Sequence, residues 1–211
     1  MPWLPPLAFG AALLALAFAA TPSFAQSVPE GAPPPDWVHP PSDVPRPGRG
    51  DRTYSLDTLF EALKIAPDED SAKAIEDRIW ALWMVSGSDT CNLLMGRVKA
   101  AAEDKDYNLA IKLLNAVLEL KPGYVEAWNR RATIYYLEKD YAHSLADIRE
   151  VLVREPRHFA ALAGLGAILQ DIGDDKHALE AYRKALAINP HLDHIPDVVK
   201  TLSEKVEGRD I

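Results

Sequence analysis

The residues best able to do chemistry in this chain are a short run of histidines and acids near its end. His191 and His194 stand three apart with Asp193 between them, a spacing from which one turn could offer two nitrogens to a divalent metal. No further ligand lies close in sequence, so the pair reads as a solvated turn beside Pro190. Asp171-Ile172-Gly173-Asp174-Asp175 is acidic enough to suggest calcium, yet it lacks the long loop and closing glutamate of an EF-hand. His143 and His177 lie 34 residues apart and read as surface positions. The chain has no Gly-rich phosphate loop, no His-Glu-x-x-His helix and no nucleophile elbow. Its single cysteine, Cys91, excludes an intramolecular disulfide. In an oxidising compartment it could pair with another chain, but a buried, packed thiol is the simpler reading. The expectation is a protein without catalytic residues, metal or cofactor.

Composition narrows the partners. With 23 basic and 31 acidic residues the net charge is −8, and no basic stripe breaks the acidic balance. Nucleic acid and anionic membrane surfaces are therefore poor partners.

The elements that must position any binding residue follow a fixed period. Pro122, Pro156 and Pro190 are spaced by 34 residues, and the same step aligns Leu94, Trp128 and Leu162. It also aligns Val98, Ala132 and Gly166, then Ala101, Tyr135 and Leu169. Later in the period come Ala110, Ser144 and Ala178, then Leu114, Ile148 and Tyr182, then Val117, Val151 and Ala185. A polar turn recurs at Lys105-Asp106-Tyr107, Lys139-Asp140-Tyr141 and Gly173-Asp174-Asp175. Between turns and prolines the apolar residues keep helical spacing, as in Leu145, Ile148, Val151 and Leu152. Each unit is thus a pair of antiparallel helices, stopped where proline cannot continue the second. One pair cannot bury its apolar face alone, but stacked pairs share a continuous core.

This pattern of large, small, large, turn, small, large, small and proline resembles the tetratricopeptide repeat family. The resemblance covers residues 91–190, in units 91–124, 125–158 and 159–192. It implies an all-α fold, a right-handed superhelix of helical hairpins. Residues 52–90 read as an atypical N-terminal helical cap: Ser55, Leu59, Ala62 and Pro67 mark one helix, and a second runs from about Ala72 to Val85 with Ile75, Ile79, Leu82 and Trp83 on its inner face. Residues 193–208 read as a C-terminal capping helix, with Val198, Val199, Leu202 and Val206 turned inward.

Within the family, the first helices of successive repeats line a concave face that holds peptides or helices of partners. Carried over by position, that face comprises Asn92, Met95, Lys99, Glu126, Asn129, Thr133 and Tyr136 from the first two repeats. The third adds Ala160, Ala163, Ala167 and Gln170, a small-lined stretch with room for a bulky element. Arg131 resembles the arginine of a subfamily that pairs it with a later aspartate, here Asp147. Arg97 holds the same position one repeat earlier, where the counterpart of Asp147 is Leu113, so Arg97 is the better candidate for meeting a ligand. The carboxylate clamp that holds acidic chaperone tails is not matched. Met95, Arg130, Ala160 and Gly164 occupy its Lys, Asn, Lys and Arg slots, and Lys99 replaces a further Asn.

The N-terminal fifty residues carry a different message. Residues 7–20, LAFGAALLALAFAA, are wholly apolar and short for a membrane span. Ser23 and Ala25 fit the small-x-small pattern, so residues 1–25 read as a secretory signal peptide cleaved after Ala25, despite the absence of Lys or Arg before it. An uncleaved anchor is the alternative. Residues 26–51, with eight prolines from Pro29 to Pro47, read as a disordered linker whose sticky residues are Trp37 and Val38. The expected location is the periplasm or outside the cell. The expected function is a non-enzymatic adaptor in a bacterial envelope complex, binding a protein or peptide in the concave groove. The alternative is a holdase-like chaperone for unfolded or apo-protein clients.

Overall fold

The computed structural model describes residues 55–208; the signal-peptide and linker readings lie outside the described residues. Nine helices make up the described part: α1 (Leu56–Lys64), α2 (Glu69–Trp83), α3 (Asp89–Glu103), α4 (Tyr107–Leu120), α5 (Val125–Leu137), α6 (Tyr141–Arg154), α7 (Phe159–Asp171), α8 (Asp175–Ile188) and α9 (Ile195–Val206). The fold is all-α, with α3–α4, α5–α6 and α7–α8 packed as successive hairpins. None of these helices is long and apolar enough to cross a membrane.

The recurring turn has a specific backbone. Lys105, Lys139 and Gly173 all take positive φ, at 58°, 60° and 85°. The next residue is aspartate each time, and its carboxylate accepts from the backbone of the new helix. Asp106 accepts from Leu109 N at 3.0 Å, Asp140 from His143 N at 3.2 Å and Asp174 from His177 N at 3.3 Å. One left-handed residue thus reverses the chain and one carboxylate caps α4, α6 or α8. The acidic run at 171–175 and the histidines at 143 and 177 belong to this device.

The prolines act as expected. Lys121, Glu155 and Asn189, each preceding a proline, leave the helical region with ψ of 76°, 89° and 96°. Small residues bring the two helices of a unit together. Ser144 is fully buried and donates to the Ala132 carbonyl across the hairpin at 2.7 Å. Gly166 lies flat against the Tyr182 ring, where a Cβ would come within 2.7 Å of it. At the end of the array α9 covers α8 with Ile195 and Leu202, tied by Arg183 to Glu207 and Lys205 to Asp175.

The N-terminal hairpin packs elsewhere than expected. A cap would lie over the first repeat. Instead the apolar face of α1–α2, from Leu59, Phe60 and Leu63 to Ile79, Trp80 and Trp83, closes on Phe159 and Ala160 of α7, flanked by Ile188 and Leu192. Polar contacts reach the same region: Asp57 bonds Arg157 at 2.6 Å, and Asn189 donates to Glu76 at 3.0 Å. The reason is payload. Two tryptophans and a phenylalanine need a large apolar seat, and α7 opens with Phe159 followed by small residues.

Candidate functional site

The concave face of α3, α5 and α7 divides into a filled half and an open half. The filled half is an aromatic seat. Trp83 stacks on His158 with ring centroids 4.1 Å apart and planes 10° apart, and meets Phe159 at 5.2 Å. Trp80 stands edge-on to Trp83, His158 and Phe159. From the N-cap of α5, the Tyr124 hydroxyl donates to the Met84 carbonyl at 3.0 Å, and Arg130 of α5 approaches the Met84 sulfur at 3.2 Å. Burial, and then the nearby Glu126 carboxylate, raise the Tyr124 pKa, so this phenol stays a donor.

Beneath the seat lies a buried polar group of unusual composition. Glu126 is fully buried and accepts from Arg130 Nε at 3.0 Å and Asn129 Nδ2 at 3.2 Å. His158 is equally buried; its Nδ1 accepts the Ala161 amide, which leaves the ring proton on Nε2. That Nε2 stands 3.6 Å from Glu126, beyond hydrogen-bond reach, and the Trp83 indole nitrogen likewise has no partner. Thr133, also buried, spends its hydroxyl on the Asn129 carbonyl.

The open half gathers tyrosines toward the turn edge. Tyr136 is half-buried and 6.0 Å from the Tyr141 ring. Tyr141 donates to Asp171 at 3.0 Å, and Tyr182 donates to Gln170 at 3.2 Å. Burial and the Asp171 carboxylate raise Tyr136, and the same causes push Tyr141 up to about 12. Burial, with Tyr136 next to it, raises Tyr182. These phenols are therefore neutral donors near pH 7, suited to hydrogen bonding and not to proton abstraction. Lys99, exposed, pairs with Glu103 at 3.8 Å on the same side of α3.

The residues named from sequence thus part company. Asn92, Arg97, Lys99 and Gln170 are exposed, and Tyr136 is half open. Asn92 accepts from the Ser86 hydroxyl at 2.6 Å, while no partner is seen for Arg97. Glu126, Asn129, Thr133, Ala163 and Ala167 are buried, and Met95 belongs to the core of the first repeat with Cys91. The room expected beside Ala160 holds the tryptophan cluster, and α5 touches α7 directly. Trp80, Tyr124, His158 and Asn189 carry the seat and escaped the sequence reading. Only the aromatic weight of Trp80 and Trp83 hinted at it. Arg131 makes the expected fork to Asp147, at 2.7 and 2.8 Å, adds Asn115 at 2.7 Å and lies over Trp128. Its hydrogen bonds to Asp147 raise its pKa further. Among the described residues no group of three or more His, Cys, Asp or Glu is placed to hold a metal.

Comparison with known proteins gives a consistent picture. The tetratricopeptide repeat family matches residues 159–192. A tetratricopeptide repeat-containing protein of Rhizobium etli is 42% identical over 153 residues, covering 72% of this chain and 75% of that protein. The first such domain of Spaghetti, solved with an HSP90 peptide, superposes with a TM-score of 0.54 at 17% identity, covering 57% of this chain and 95% of that one. The Sgt2 domain of Aspergillus fumigatus gives 0.53 at 25% identity over 57% of this chain and 81% of its own.

Proposed function

The chain belongs to the tetratricopeptide repeat family, whose arrays are protein-interaction modules, and we propose that this one is a non-enzymatic adaptor for a peptide or helix of a bacterial envelope complex. The observation that carries this reading is the open half of the concave face: on the first helices of the three repeats Lys99 and Gln170 are exposed, and Tyr136 is half-buried beside Tyr141 and Asp171. An extended peptide or helix laid there meets phenols, an amide and a cation. The rigid hairpins spare it most of the ordering cost of binding. The envelope assignment is supported by the apolar run at residues 7–20 and the small residues that follow it.

The Spaghetti domain was solved with a peptide ending in acidic residues. That chemistry does not transfer to this chain by position. Three of the clamp slots hold Met95, Ala160 and Gly164, and these are buried. The ligand is therefore recognised by other groups.

The test compares the full chain with a Lys99→Glu/Gln170→Arg variant in capture from native envelope extract. Met95 is unsuited as a probe because a charge there enters the core. One protein held by the wild type and lost by the variant, with helicity unchanged, is the expected outcome. Broad retention of unfolded chains by both would favour the holdase alternative and sink the adaptor reading.

A further inference from the structure

We propose that the aromatic seat on α5 and α7 is a docking site for an amphipathic helix bearing two tryptophans three residues apart and a carboxylate one turn ahead of them. In this reading α2 holds the site in cis and gives way to such a helix in trans. It rests on the interpretation of the array as a binding module and names the kind of partner its filled half accepts.

What α2 presents is a compact recognition face. Glu76, Trp80 and Trp83 lie at helical spacing, so one carboxylate and two indoles share a side. The array meets them with complementary groups: Asn189 donates to Glu76, His158 and Phe159 take the indoles, and Tyr124 caps the chain end at Met84. Tyr124 closes the first repeat, His158 closes the second, and Phe159 and Asn189 lie in the third, so the seat draws on all three units.

The array does not need α2 for its own core. The apolar clusters of the first repeat, the second-to-third boundary and the C-terminal end contain no residue of α1 or α2. The hairpin contributes to one cluster only, the seat itself. It adjoins α3 in sequence yet rests on the third repeat, through a short link in which Gly87 takes φ of 68°.

The seam also leaves something for a better ligand. His158 Nε2–H makes no hydrogen bond, with Glu126 3.6 Å away, and Trp83 Nε1–H is buried without an acceptor. Such orphaned donors weaken a contact relative to one that satisfies them. A helix placing an acceptor against His158 gains a bond that α2 does not make, which gives a trans ligand the means to compete with a tethered one.

Two measurements on the full chain decide the matter. A fluorescent peptide of residues 68–85 is titrated against the wild type and against Trp80→Ala/Trp83→Ala, which empties the seat. If the hairpin is open about 1% of the time, the wild type binds about 100-fold more weakly than the emptied chain. Equal binding to both, or none to a folded variant, overturns the proposal. Should the variant fail to fold, amide exchange on the wild type decides. Residues 69–83 are expected to exchange as a unit at least about tenfold faster than α7 and α8, and equal protection overturns the displaceable hairpin. The two readings fail separately. Loss of partner capture by Lys99→Glu/Gln170→Arg with a failed peptide titration would sink the seat alone, and the converse would sink only the open-half adaptor.

Discussion

Replacing Trp83 with alanine should loosen the N-terminal hairpin while sparing the repeats. The side chain is 7% exposed, stacked on His158 and flanked by Trp80, Phe159 and Phe60 at 5.2, 5.2 and 6.0 Å. Truncating a buried tryptophan costs about 3–5 kcal/mol. Part of that returns, because the substitution removes an indole N–H buried without a partner, itself a burden of about 1–3 kcal/mol. The net expected loss is about 2 kcal/mol, limited by how tightly the hairpin is docked. Trp83→Phe keeps an aromatic ring over His158 and discards the orphaned N–H, so its cost should stay within about 1 kcal/mol. Urea unfolding followed by circular dichroism and tryptophan fluorescence measures both. Phenylalanine costing as much as alanine would refute the orphaned-donor argument. A loss below about 1 kcal/mol for alanine would refute the seat itself.

Other consequences are equally specific. Arg131→Ala strands Asp147, which is 4% exposed, and should cost about 3 kcal/mol in urea unfolding, while an Arg131→Met/Asp147→Leu pair should recover most of it. Gly166→Ala pushes a methyl into the Tyr182 ring and should cost about 1–3 kcal/mol with a lowered Tm. Asp140 and Asp174 have pKa values below their ordinary 3.8, through hydrogen bonds from His143 and His177. A depressed folded-state pKa gives stability that is present above the unfolded value and lost as pH falls below it. Asp140→Asn/Asp174→Asn keeps both caps uncharged and should flatten the acid limb of a stability–pH curve as pH falls below the ordinary 3.8.

How far the sequence could be read depended on whether a contact repeats. The hairpins were legible because the period is enforced locally: a left-handed turn residue at Lys105, Lys139 and Gly173, an aspartate cap, and a proline stop. Arg131 and Asp147 were legible because they sit on one hairpin, 16 residues apart. The hairpin α1–α2 was legible as two helices, but its place was not. Its contact from Glu76 to Asn189 spans 113 residues and occurs once, so no periodicity announces it. The same single contact misled the reading of the concave face. Glu126 and Asn129 stand at positions that face a groove, yet they bond each other beneath a seat that α2 already fills. The tyrosine edge was half legible: Tyr136 was found by its repeat position, but its meeting with Tyr141, Asp171 and Tyr182 depends on how the second and third repeats stack.

The central claim is that the open half of the concave face holds the partner. A photo-crosslinking residue at Gln170, compared with one at Val153 on the exposed side of α6, tests it most directly. The account predicts a discrete crosslinked partner from position 170 and none from 153. Crosslinking from 153 alone would place the binding surface on the other side of the array and contradict the account.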